Sequence, residues 1–288
     1  MRREGGNPPK IGTGRGPFGW PGRLAATLVT AKFATIDLMP RYDFRNPRVY
    51  LDVPLAEGLT VAFDRAQANY LANVLRLKHG DELLLFNGRD GEWQARLAGA
   101  GKRALTAVIA ERMREQPRPS DLHFLFAPLK HARLDYLVQK AVEMGATRLQ
   151  PVITQHTQVA RINLDRIRAN VIEAAQQCGI LTLPEVADPV AFKAAIGQAD
   201  VGRLLVFCDE DAEVKDPVAA LAAAAHAGLP IGVLIGPEGG FAEEERDVLR
   251  NRPNMVRIAL GPRILRADTA AVAALALVQA VLGDWRGS

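Results

Sequence analysis

Between Arg48 and about Arg118, apolar residues fall into short runs of β-rich composition: Val49-Tyr-Leu-Asp-Val53, Glu82-Leu-Leu-Leu-Phe86, Glu92-Trp-Gln-Ala-Arg-Leu97 and Leu105-Thr-Ala-Val-Ile109. Lys78-His-Gly-Asp81 and Asn87-Gly-Arg-Asp-Gly91 separate them with the glycine and Asx residues that hairpin turns require. Ahead of the hairpins, Tyr70, Leu71, Val74 and Leu75 share one side of a helical spacing, which predicts a short helix over Gln67 to Leu77 with Arg76 and Lys78 near its end. A small β-barrel over residues 47–118 accommodates this pattern. Arg76 keeps two readings, a phosphate contact or a solvated cation placed where the helix dipole favours it.

After the linker Pro117-Arg-Pro119-Ser120 the period changes, and residues 120–288 alternate strands with amphipathic helices as a parallel α/β domain does. Leu134, Leu137, Val138, Ala141 and Val142 predict one helix ending at Gly145; Leu164, Ile167, Val171 and Cys178 predict another, capped by Asn163 and stopped by Gly179. Strands are predicted at Leu204–Phe207, Ile231–Ile235 and Val256–Leu260. The last segment, Thr269 to Leu282, is almost wholly apolar yet too short to cross a bilayer, so it belongs in a core or at a subunit contact.

Composition changes this picture in two ways. The net charge of +4 suggests a nucleic-acid binder until it is divided: residues 1–48 hold nine Lys/Arg against three Asp/Glu, leaving 27 against 29 beyond. The basicity therefore belongs to a Gly/Pro/Arg-rich extension, residues 1–46, predicted to be disordered, with Met39 as an alternative start. Its Gly12-Thr-Gly-Arg-Gly16 is no dinucleotide fingerprint, because prolines stand where the flanking strand and helix must be. Cys178 and Cys208 form no ligand cluster and His79, His123, His131, His156 and His226 have no metal-binding spacing, which predicts a reducing, cytoplasmic location without metal. The mildly apolar run Leu24 to Leu38 carries Lys32 and Asp37 and is too short to span a bilayer, so no membrane is expected.

Candidate chemistry lies in the loops after the last strands, since ligands of parallel sheets gather at carboxyl-terminal strand ends. Gly236-Pro-Glu-Gly-Gly240-Phe241 can turn sharply and approach a flat ligand without Cβ atoms intervening; Gly261-Pro-Arg-Ile-Leu-Arg266-Ala-Asp268-Thr269 leads straight into the apolar helix. Either loop alone reads most simply as a tight strand-to-helix connection. Together, Ile235-Gly-Pro-Glu-Gly-Gly-Phe241 and Leu260-Gly-Pro-Arg-Ile-Leu-Arg-Ala-Asp-Thr-Ala270 resemble the paired signature of the RsmE family, a branch of the SPOUT methyltransferases. The resemblance runs from about Pro47 to Leu282. It includes Val74-Leu-Arg-Leu77 with Gly80-Asp81, Lys130 with Gln139-Lys-Ala-Val-Glu143-Met-Gly145, and Glu173-Ala-Ala-Gln-Gln177-Cys-Gly179.

The resemblance implies a PUA-like, RNA-binding barrel followed by an α/β domain tied in a trefoil knot. It implies methylation of N3 of one uridine in 16S ribosomal RNA of the small ribosomal subunit, and a homodimer whose partner helps to complete each cofactor pocket. S-adenosylmethionine is expected against the main chain of residues 236–240 and 258–265. Gly236, Gly239, Gly240 and Gly261 would give room, Pro237 and Pro262 would hold the loops pre-formed, and Leu234, Leu260, Ile264 and Leu265 would supply apolar walls. Glu238 either favours the cationic cofactor or caps the helix entered at Ala242. Lys130 is expected to contact RNA, as is Arg76 on the first of its two readings.

Uracil N3 becomes nucleophilic as its proton leaves and charge spreads onto O2 and O4. Arg266, with its fixed fork of donors, is the first candidate to stabilise that charge, oriented by Asp268. No base is assigned, because a carboxylate would need a strongly raised pKa to take the proton and loss to water serves equally. Two substitutions test these roles: Arg266→Ala should cut turnover far more than cofactor affinity, and Gly239→Val should abolish cofactor binding by obstructing its loop. Departures from the family pattern are Asp268 for Glu, Gln176 for Glu and Ile180 for Arg. They keep open a catalytically impaired RNA-binding or ribosome-assembly scaffold. The barrel and the Leu-Arg-Ala-Asp-Thr-Ala motif disfavour a SPOUT enzyme acting on transfer RNA or ribose 2′-hydroxyls, and a nicotinamide oxidoreductase would need a complete GxGxxG fingerprint in a strand-to-helix turn, which no such turn of the chain supplies.

Overall fold

Two sheets carry the computed structural model, which describes residues 46–101, 104–130, 132–159, 161–198, 202–209, 211–225 and 229–286. The extension expected over residues 1–46 lies, except for Asn46, outside these described residues, as does Met39. Both sheets belong to one compact unit, Tyr42–Ser288.

The first sheet has five strands: β1 (Arg48–Tyr50), β2 (Thr60–Ala62), β3 (Glu82–Phe86), β4 (Glu92–Gly101) and β5 (Ala104–Arg114), in the order β1-β3-β4-β5-β2. The hairpin β3–β4 turns at Asn87, whose side-chain oxygen accepts from the amides of Arg89 and Asp90. Register shifts between β4 and β5 curl the sheet around a core that includes Leu71, Leu83, Leu85, Ala95 and Ile109. The predicted helix begins earlier than its apolar spacing suggests. α1 (Arg65–Asn69) is capped by Asp64 and runs into one wide turn, Tyr70–Val74, where the Leu75 amide bonds the Tyr70 carbonyl at 2.9 Å. Arg76 follows in the left-handed region, φ 57°, in the place where glycine commonly ends a helix.

The second sheet is parallel. β6 (Leu122–Phe126), β7 (Arg148–Ile153), β8 (Glu185–Val186), β10 (Leu204–Cys208), β11 (Ile231–Ile235) and β12 (Met255–Ile258) lie in the order β12-β10-β11-β6-β7-β8, and β9 (Val190–Ala191) pairs with β7. Helices α2 (Ala132–Glu143), α3 (Leu164–Cys178), α5 (Pro217–Ala224) and α7 (Ala267–Val281) cover one face. α4 (Phe192–Gln198) and α6 (Glu243–Arg250) cover the other. Burial on both faces explains why strands such as Leu-Leu-Val-Phe read as continuous apolar runs. The caps expected of α3 are present: Asn163 accepts from the Arg166 amide and Gly179 ends the helix at φ 71°. α7, apolar all round, places Ala271, Ala274, Leu275 and Val278 in the main core.

A buried ion-pair system joins the two sheets. Glu92 accepts from Arg48 Nε and Arg114 Nε, both at 2.6 Å, while Arg48 Nη1 also donates to the Ala175 and Gln176 carbonyls and Arg114 Nη2 to the Gly179 carbonyl. Two cations thus stand at the carboxyl end of α3, where its dipole favours them. Gln176 has a purpose here, because its side-chain oxygen accepts the Tyr50 amide at 2.9 Å. Ile180 packs against the main core beside a 260 Å³ hollow.

Candidate active site

Three parallel strands, β10, β11 and β12, end at one cleft of about 650 Å³. Gly236, Pro237, Glu238, Gly239 and Gly240 form one wall, and Leu260, Gly261, Ile264, Leu265 and Arg266 form another. The volume falls in the range of small-molecule sites. Sequence positions about twenty residues apart are brought together because β11 and β12 flank β10 on either side.

The first loop is shaped by its own neighbours. Gly240 turns it at φ 72°, with its amide bonded to the Pro237 carbonyl at 3.0 Å. Phe241 folds beneath, against Phe207 and Phe192. A Cβ at Gly236 would meet the Phe241 ring at 2.6 Å, so any side chain there must displace the ring. At Gly239 it would meet His156 Cβ at 3.4 Å, an ordinary contact. Glu245 accepts from the Ala242 amide at 3.0 Å and the Gln155 amide at 2.9 Å, which makes it both the helix cap and the tie to the chain after β7. His156 Nδ1 donates to the Gly240 carbonyl at 3.0 Å, a bond that requires the proton on that nitrogen.

Several expected residues stand elsewhere than their motifs suggest. Leu234 does not line the cleft: its neighbours Val233 and Ile235 face the main core, so the strand alternation turns Leu234 to the opposite core with Phe207 and Phe241. Glu238 neither caps α6 nor stands free, because its carboxylate pairs with Arg133 of α2. Asp268 lines no part of the cleft and, among the described residues, forms no bond with Arg266; its carboxylate accepts from the Thr269 amide at 2.8 Å in the first turn of α7, where the dipole favours a negative charge. Arg266 is the residue immediately before α7, at its N-cap, and, among the described residues, forms no ion pair. Arg76 is exposed and lines no part of the cleft. Lys130 is exposed in the turn before α2, where its carbonyl accepts the Arg133 amide.

The floor contains groups the motifs did not reveal. Asp209, fully buried at the end of β10, accepts from Arg246 at 3.0 Å and Arg257 at 2.9 Å, tying α6 and β12 to β10. Burial pushes the adjoining Cys208 thiol up to about 12, with Asp209 adding to the shift, so the floor carries a neutral thiol rather than a nucleophilic thiolate. Among the described residues no group of three or more His, Cys, Asp or Glu is placed to hold a metal, and no helix is long and apolar enough to cross a membrane.

Two known domain families match successive parts of the chain. Residues 116–279 match the RNA methyltransferase domain family, and residues 63–110 match the RNA methyltransferase PUA domain family. The ribosomal RNA small subunit methyltransferase E of Rickettsia conorii is 32% identical over 234 residues, covering 81% of this chain and 94% of that protein. The protein of the same name from Bacillus subtilis is 25% identical, covering 78% and 91%. The crystal structure of ribosomal RNA small subunit methyltransferase E from Neisseria gonorrhoeae, bound to S-adenosyl methionine, superposes with a TM-score of 0.75 at 30% identity, covering 83% of this chain and 99% of that one. A putative methyltransferase from Legionella pneumophila with bound SAM gives 0.69 at 29% identity, with the same coverage.

Proposed function

Since the chain belongs to the RsmE family, that of the ribosomal RNA small subunit methyltransferases E, we propose that it methylates N3 of a uridine in 16S ribosomal RNA of the small subunit, using S-adenosylmethionine. Its fold is the SPOUT α/β-knot methyltransferase domain preceded by a PUA-like barrel. We assign residues 47–118 to the barrel and 120–288 to the methyltransferase domain. The observation that carries the reading is the convergence of the glycine loop and the Gly261–Arg266 loop on one cleft.

That cleft suits the cofactor: glycines leave main chain open on one wall, while Leu260, Ile264 and Leu265 offer apolar surface on the other. S-adenosylmethionine supplies an electrophilic methyl group and leaves as a neutral thioether. Arg266 offers its guanidinium to O2 or O4 of the target as N3 loses its proton to water, and no carboxylate of this chain is assigned as base. Arg76 and Lys130 contact RNA outside the cleft. The chain works as a homodimer in the cytoplasm, where a second copy covers the apolar side of the Gly261–Arg266 loop.

Transfer of labelled methyl to small subunits lacking native base methylation, followed by nucleoside mass spectrometry, tests the reaction. 3-Methyluridine at one site is the expected result. Label on another base or on ribose would overturn the uridine-N3 assignment, and cofactor binding without transfer would favour the impaired scaffold. In the same assay Arg266→Ala should lower turnover by about 10²–10³-fold, the usual cost of one oxyanion donor, with cofactor affinity nearly unchanged. Equal loss of both would remove Arg266 from the reaction.

A further inference from the structure

A cation in the first turn of a helix works against the helix dipole, yet Arg133 occupies the second position of α2. Its side chain lines the cleft, where Glu238 alone among the described residues pairs with it. Arg246, Arg263 and Arg266 line the same cleft. Arg246 is answered by Asp209 and Asp211, whereas Arg263 and Arg266 form no ion pair among the described residues. The rim therefore presents three guanidiniums to a single carboxylate, an arrangement matched to an anionic ligand.

We propose that Arg133 binds an RNA phosphate beside the target nucleotide, and that Glu238 holds its guanidinium at the rim until the phosphate takes the carboxylate's place. This rests on the RNA methyltransferase reading. An anionic oxygen in this cleft has two sources, RNA phosphate and the α-carboxylate of the cofactor. The position favours RNA, because Glu238 belongs to the glycine loop but its side chain, like that of Arg133, reaches the mouth of the cleft, where the two are 40% and 38% exposed. An ion pair this open to water is held weakly and exchanges readily, and a planar guanidinium can bind phosphate through two parallel hydrogen bonds.

The test compares Arg133→Ala with wild type, and with Arg168→Ala as a control that removes an exposed arginine of α3 whose one ion pair among the described residues is local, with Asp165. Binding to small ribosomal subunits is titrated against salt, S-adenosylmethionine affinity is measured separately, and thermal melting checks the fold. Arg133→Ala should weaken RNA binding about tenfold and reduce the slope of log K against log salt by about one, leaving cofactor affinity and the melting temperature unchanged. Glu238→Gln should tighten RNA binding. An unchanged salt slope in Arg133→Ala overturns the contact, as does a loss confined to cofactor affinity, which would assign Arg133 to the cofactor carboxylate. Weaker RNA binding by Glu238→Gln overturns the placeholder role. Binding is read without turnover, so failure of wild-type methyl transfer counts against the enzymatic reading and not against Arg133.

Discussion

The loop after β11 is held from several sides: Phe241 anchors it from below, Glu245 caps its exit, His156 bonds the Gly240 carbonyl and Gly236 leaves room only for the Phe241 ring. The loop after β12 is the reverse. Gly261 turns at φ 90° with nothing near the place of a Cβ, and Ile264 stands 94% exposed at the edge of the cleft. Both loops carry a Gly-Pro pair and follow parallel strands, so sequence makes them look alike. Their surroundings make the first a cradle formed before any ligand arrives and the second a surface that awaits cover. A pre-formed loop has little ordering entropy left to lose on binding, which suits it to hold a cofactor.

Substitutions should separate the two, beginning with the anchor. Phe241→Ala removes a buried ring from between Phe192 and Phe207 and should cost about 3–5 kcal/mol of folding stability, read by urea denaturation. A loss under about 1 kcal/mol would mean that the aromatic cluster does not hold the loop. Gly236→Ala is a smaller intrusion, one methyl group against the same ring. Overpacking of about 1–3 kcal/mol concentrated in the loop should lower S-adenosylmethionine affinity about 10- to 100-fold, measured by calorimetry. Unaltered affinity would show that the ring can retreat without disturbing the cradle.

Much of this contrast lies beyond a sequence reading, for physical reasons. Gly236–Phe241 and Leu260–Thr269 were legible because glycine, proline and a strand before them are local signals. The core strands, the Asn163 cap and the Gly179 stop were legible for the same reason. Leu234 was not, since a strand buried on both faces gives no periodicity to say which side each residue takes. β2, three residues long, offers too short a run to register as a strand. Arg133, His156, Asp209 and Glu245 reach the site through contacts distant in sequence. Arg133 and Glu238 are separated by 105 positions, and nothing local in either segment announces the pair. The motif placed Asp268 beside Arg266, whereas the turn geometry of α7 gives its carboxylate to the Thr269 amide.

The smallest expected effect on folding belongs to the second loop, and it completes the contrast. Ile264→Ala removes three carbons that the protein itself leaves in water, so unfolding free energy should stay within about 0.5 kcal/mol of wild type. If the cofactor lies along this wall, the same three carbons become half-covered on binding. Their loss then costs about 1–1.5 kcal/mol, close to a tenfold weaker S-adenosylmethionine affinity. Calorimetry at a protein concentration where sedimentation shows the wild-type and variant assemblies to be equal isolates that contribution from any change in self-association. A tenfold loss with unchanged stability would make Ile264 the counterpart of Phe241: one apolar side chain stabilises the fold, the other only the complex. Unchanged affinity in assemblies of equal size would take Ile264 out of the cofactor wall and leave its exposed face to the second copy or to RNA.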